Sequence, residues 1–299
     1  PWTAGAIIQA LRATARPFLG LPWIDQGPGL AQIEPADEYL RAGRESPRFS
    51  VQAINPGAGS REPGASVAGA SRLPLSPGAY RRNGFGSPAD TIQRFRVSVV
   101  PDRGLPRRPR SYRLASDAPW LRAVQPTVTI DSSTGSAIVE VRYDRAALTG
   151  YGRYSGAITG IAQSDSATGP AFALVNTIIL PTAQPVHQVR AILPGGTAAR
   201  YFVAVPEGAS GLSLAMAVPD STNQGLLSLF EPTGQPARGT RNEDVGGANG
   251  DAVTIAVTGN DIMPGVWEVV VQAMPGPGLI YDLDVRTTPA RVTRVDSSA

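Results

Sequence analysis

From Thr91 onwards, apolar and polar residues alternate. "TIQRFRVSVV" places Ile92, Phe95, Val97 and Val99 among polar neighbours, imperfectly at first; "SAIVEVRY" and "FALVNTIIL" repeat the pattern after turns at "DSSTGS" and "DSATGP". A period of two predicts half-buried strands, and turn-separated strands without helical stretches between them predict an antiparallel sandwich. Pro181 and Pro185 mark a boundary, beyond which "ARYFVAV", "LSLAMAV", "LLSLFEP", "DAVTIAV", "GVWEVVVQA" and "YDLDVR" read as a second set of strands. Their spacing and turns are jelly-roll-like. The expected fold class is mainly β: two consecutive antiparallel β-sandwich domains, at 89–183 and 184–299.

The first 43 residues follow a different period. "TAGAIIQALRATAR" places Ile7, Ile8, Leu11 and Ala15 at helical spacing, with Thr3 as N-cap and Pro17 ending the run. In "PWIDQGPGLAQIEPADEYLRAG", residues 22–24 read as a short apolar strand, and Gly27, Pro28 and Gly29 as a turn. The helix that follows has Pro35 in its first turn, Tyr39 and Leu40 on its apolar face and Gly43 past its end. Two such helices cannot enclose a core. Ile7, Ile8, Leu11, Tyr39 and Leu40 are therefore expected to dock onto a partner. Residues 44–88, rich in Gly, Pro, Ser and Ala, read as a linker.

Composition narrows the chemistry. The chain has 299 residues, enough for two or three domains, and its many glycines (33) and prolines (28) favour a turn-rich fold. All 27 basic residues are arginine, yet the net charge is only +3, which does not imply a nucleic-acid partner. No cysteine is present, which excludes disulfides, thiol catalysis and thiolate metal sites and fits a cytosolic chain and a secreted one alike. No segment is apolar enough for a membrane span, and the start lacks the regions of a signal peptide. Pro1 is not an initiator methionine and reads as a cleavage point or a boundary set within a longer chain.

Few residues carry catalytic potential. His187 is the only histidine, and no adjacent sequence resembles a nucleophile turn, so it reads as an interdomain or surface residue. No cofactor is expected. In "NEDVGGANGD", Asp244, Asn249 and Asp251 are calcium-type oxygen ligands, but their spacing departs from an EF-hand loop and a solvated turn is preferred. "DRGLPRRPRSYR" gathers Arg103, Arg107, Arg108, Arg110 and Arg113 with a single aromatic, Tyr112, and reads as a solvated loop. "GYGRYSG" leads into an alternating strand and not a helix, which favours a hairpin turn over a phosphate loop.

With its Thr14-Ala15 pair and Gly27-x-Gly29 turn, "WTAGAIIQALRATARP" followed by "IDQGPGLAQIEPADEYL" resembles the end of the catalytic domain in subtilisin-like serine proteases. The region from "LASDAPWLRAVQ" to "FALVNTIILP" is similar to the β-sandwich that follows that domain in the tripeptidyl-peptidase II group. Its matching features are Asp117 to Leu121, Val141 through Leu148, Gly150, Tyr154, Gly169-Pro170, Phe172 and Pro181. "ARYFVAVPEGASGLSLAMAV" resembles the group's next β-domain at Phe202, Val205-Pro206 and Gly208-Ala209.

The resemblance implies that residues 1–43 are a short helical remnant of an α/β catalytic domain. The parent would be a peptidase with an Asp-His-Ser triad upstream, so that no catalytic residue lies in this chain. Implied partners are the upstream catalytic segment, a peptide or protein substrate and a second copy of the chain. The alternative is a non-enzymatic extracellular module for carbohydrate or protein, which an exposed cluster of Trp120, Trp267 or Tyr281 would favour.

Overall fold

A computed structural model describes residues 2–18, 21–44, 47–54, 75–87, 90–100, 109–131, 134–164, 168–219, 224–238, 243–245 and 252–289. The protein is mainly β, and its contacts divide it into two compact units. The first comprises Pro1–Arg81, Phe85–Thr149 and Tyr154–Ile178; the second comprises Arg82–Gly84, Gly150–Arg153 and Ile179–Ala299.

The first unit begins with α1 (Ala4–Ala13), α2 (Trp23–Gln26) and α3 (Ile33–Arg41). The Thr3 hydroxyl accepts from the Ala6 amide at 3.1 Å, satisfying one of the donors a helix start leaves open. α2 corrects the expectation of a strand at 22–24. Pro22 sits as its N-cap, Gly27 at a φ of 61° ends it, and the Gln26 side chain ties it to Phe18 and to the Leu21 carbonyl. Gly29, at a φ of 112°, then lets Leu30 exchange two 2.9 Å backbone hydrogen bonds with Arg16; a Cβ at Gly29 would lie 2.3 Å from the Arg16 carbonyl oxygen.

Strands β1 (Phe49–Ile54), β2 (Leu75–Ser76), β3 (Ala79–Arg81), β4 (Ile92–Val99), β5 (Arg110–Ser116), β6 (Leu121–Ala123), β7 (Thr127–Ile130), β8 (Ser136–Tyr143), β9 (Gly152–Ala162) and β10 (Pro170–Leu180) form two sheets. Their orders are β2-β1-β4-β8-β6 and β3-β10-β9-β5-β7. Along β4 the alternation is clean, with Gln93, Phe95 and Val97 buried and Arg94 and Arg96 exposed. Three of these strands lie within the expected linker. β1 is the substantial one, because the Phe49 ring packs edge-on against Tyr112 (5.4 Å) and Phe172 (5.2 Å). Likewise Arg110 and Arg113, expected in a solvated loop, belong to β5, whose Tyr112 is buried in that aromatic group.

The second unit contains β11 (Val186–Leu193), β12 (Ala198–Val205), β13 (Gly211–Ala217), β14 (Gly225–Phe230), β15 (Glu243–Val245), β16 (Ala252–Thr258), β17 (Gly265–Ala273) and β18 (Leu279–Thr288). The sheets run β11-β18-β13-β16 and β12-β17-β14-β15. Numbered one to eight, these are 1-8-3-6 and 2-7-4-5, the strand order of a jelly roll. Trp267, fully buried, fills the space between the sheets with Leu214, Met216, Leu283 and Val285, and its indole N–H donates to the Met263 carbonyl at 2.8 Å.

Close packing leaves little room beneath the aromatic group of the first unit. A Cβ on Gly160 would sit 2.2 Å from Phe172 Cζ, a ring that is itself buried. Gly160→Ala should therefore destabilise the protein by about 1–3 kcal/mol through overpacking, read as a lower denaturation midpoint.

Candidate functional site

The helical segment brings the expected docking residues together only in part. α1 turns an alanine face inward: fully buried Ala10 packs with Ala36, Tyr39 and Leu40 of α3, and Ala6, Leu11 and Ala13 pack alongside. Small side chains let the two helix backbones approach closely. Tyr39 and Leu40 are thereby consumed inside the unit, Leu11 is partly buried, and Ile7 and Ile8 remain exposed, each by 41%. The sequence pattern marked the bulky residues as a face open to a partner; the helix pair itself packs through Ala10 and Ala36 with Tyr39 and Leu40.

Exposure is concentrated along this segment. Trp2, Phe18, Leu21, Ile24, Leu30 and Ile33 are also exposed, so the first 33 residues hold eight of the sixteen exposed large hydrophobics among the described residues. Large contiguous apolar patches commonly mark interaction sites. Its charges are modest: Arg41 pairs with Asp37 one turn away at 2.7 Å, both well exposed.

Elsewhere the polar clusters hold the fold together. In the first unit, the Arg81 guanidinium bonds Asp90 at 2.6 Å and lies over the Tyr143 ring at 5.1 Å, and the Tyr143 hydroxyl donates to Asn176 at 2.8 Å. The hydrogen bond from Arg81 holds the Asp90 carboxyl below its usual range. Burial pushes the Tyr143 and Tyr112 hydroxyls up to about 12. In the second unit, buried Glu268 accepts from Arg82 at 3.4 Å and from Arg200. Tyr281 shares a hydrogen bond with Tyr201; burial first, then that bond, raises its pKa.

The remaining candidates are placed as follows. His187 sits on β11, partly buried, with its ring 6.2 Å from that of Tyr201. The glycines of "GYGRYSG" lead into β9. Asp244 belongs to β15, whereas Asn249 and Asp251 lie outside the described residues, as do Arg103, Arg107 and Arg108. Among the described residues no group of three acidic or histidine side chains could hold a metal ion, and no helix is long and apolar enough to cross a membrane. Trp120, Trp267 and Tyr281 are all buried, at 5%, 0% and 1% exposure.

The fold therefore defines a two-unit β-sandwich protein with a helical lead. It is similar to a solved structure of tripeptidyl peptidase 2 (TPP II), at 18% identity and a TM-score of 0.67, over 96% of this chain and 24% of that one. The chain thus spans about a quarter of that protein's length. Two further structures superpose with TM-scores of 0.25 and 0.26, which are too low to bear on this chain. One is Aeromonas hydrophila PliG, a periplasmic lysozyme inhibitor of g-type lysozyme, at 16% identity over 34% of this chain and 86% of that one. The other is the Yersinia pseudotuberculosis-derived mitogen, at 14% identity over 40% and 93%. No family model and no curated protein matches the sequence.

Two measurements check this assignment of roles. Ile7→Gln with Ile8→Gln should change stability by no more than about 0.5 kcal/mol while lowering hydrophobic-dye binding, whereas Leu40→Ala should cost about 2–3 kcal/mol in amide-exchange protection of α1 and α3. For the tyrosines, the folded pKa lies above the ordinary 10, so their contribution to stability is complete below pH 10 and is lost as pH rises from there through about 12. Denaturant midpoints should fall across that window, and tyrosinate absorbance of the folded protein should report two late-ionising groups in addition to Tyr281.

Proposed function

We propose that this chain is an accessory part of a subtilisin-like serine peptidase of the tripeptidyl-peptidase II-like group. In this reading α1 to α3 complete the edge of a catalytic domain, and the β-units support that domain, guide substrate access or mediate association. Peptide-bond hydrolysis is carried out by an Asp-His-Ser triad elsewhere in the parent protein, with the histidine as general base for the serine. No cofactor is required.

The observation that carries the reading is the exposed Ile7 and Ile8 on a helix pair whose opposite side is already packed. The likeness of fold to part of tripeptidyl peptidase 2 supports it, as does the order of motifs along the chain. The alternative, a carbohydrate- or protein-binding module, draws no support from Trp120, Trp267 and Tyr281, which the core absorbs.

Coexpression with the upstream catalytic segment provides the test. The reconstituted protein should cleave tripeptide-releasing or blocked peptide substrates, and Ile7→Asp with Ile8→Asp should reduce the yield of active complex by about tenfold or more, since burying an unpaired charge is strongly unfavourable. Absence of cleavage by the assembled protein would reject the peptidase reading.

A further inference from the structure

The jelly roll has four edge strands, and three carry charge. β11 presents Arg190, 3.8 Å from Asp282; β12 presents Arg200, paired with Glu268; β15 contains Glu243 and Asp244 within its three residues. β16 differs. Its seven residues, Ala-Val-Thr-Ile-Ala-Val-Thr, include neither charge nor proline, and Ala252, Thr254, Ala256 and Thr258 are exposed.

Among the described residues β16 pairs with β13 alone, and its other edge has no strand beside it. Edge strands normally carry charge, proline or a bulge to prevent pairing with another chain. The edge strands of the first unit are short: β2 has two residues, β3 and β6 three each, and β7 four. Among the described residues β16 is thus the long edge strand without such protection.

We propose that β16 pairs antiparallel with β16 of a second copy of this chain, continuing the β11-β18-β13-β16 sheet across a two-fold axis. The strand is complementary to itself. Centred on Ile255, antiparallel pairing sets Val253 against Val257, Thr254 against Ala256 and Ala252 against Thr258. Ile255 and Val257 lie on the buried side and the alanines and threonines on the exposed side, so no like charges meet and β-branched residues face each other or alanine. A two-fold contact needs one surface to serve both partners, which this residue order supplies. This inference does not rest on the peptidase reading.

The absence of cysteine makes a direct test available. In the 299-residue chain, Thr254→Cys with Ala256→Cys should give a disulfide-linked dimer under mild oxidation, because opposed antiparallel Cα atoms, about 4.5–5.5 Å apart, fall within disulfide range. Ser213→Cys with Ala215→Cys, on the interior strand β13, should remain uncrosslinked. Sedimentation of the unmodified chain should show a concentration-dependent dimer, weakened about tenfold or more by Thr254→Lys with Ala256→Lys and unchanged by Ile7→Gln with Ile8→Gln. A monomer at all concentrations would overturn the proposal. So would a dimer that resists the lysine pair and leaves the β16 cysteines uncrosslinked.

Discussion

Packing of Ala10 against Ala36, Tyr39 and Leu40 is the contact on which the functional reading depends. Helices of ten and nine residues are too short to hold alone in water, so each exists because the other covers it. That contact uses the small face of α1. It has a consequence for everything else in the segment, since bulk that is not needed between the helices must point away. Ile7, Ile8 and Ile33 are left on the surface, and the cost of keeping them in water falls on whatever state lacks a partner.

The second unit is arranged around a different constraint. β17 is buried on both faces: Trp267, Val269 and Val271 lie in the main core, while Val266 packs with Ile179 and Phe202. Glu268 falls on the same side as Val266, where an unpaired carboxylate would be prohibitive. Arg82 and Arg200 remove that penalty, and Arg82 also donates to the carbonyls of Glu231 and Val266 at 3.0 and 3.3 Å. A strand covered twice reads as a nearly unbroken apolar run, and this explains why "GVWEVVVQA" lacks the alternation of its neighbours.

How far the sequence discloses the fold follows from the same physics. Strands with one wet face, such as β4 and β8, are legible because burial enforces period two. β11 is not, because its exposed positions, Val186, Gln188, Arg190 and Ile192, mix polar and apolar residues and its inward ones include His187. β15 is three residues inside what reads as a turn, and only its partner β14 defines it. β1 is hidden by the glycine- and proline-rich stretch after it, and Phe49 is its one strong signal. α2 is too short for periodicity, and the side-chain bonds from Gln26 back to Phe18 and Leu21 that fix it are not announced by any apolar pattern. The docking residues divide along similar lines: amphipathic spacing locates the helices, but does not say which face a neighbouring helix will take.

The exposed face of α1 and the edge of β16 that has no strand beside it among the described residues differ in kind, and their requirements differ accordingly. Apolar side chains on α1 gain from any dry surface, since burial is non-directional, and their specificity must come from the shape of what covers them. The outer edge of β16 gains little from contact with an apolar surface, because backbone donors and acceptors on a strand edge need partners at strand spacing. On the two proposals above, a face of isoleucines and an edge of alternating threonine, alanine and valine suit different occupants: the first a folded domain with a complementary hollow, the second another extended strand. Neither occupant can substitute for the other, which allows one chain to carry both features without their competing for the same partner.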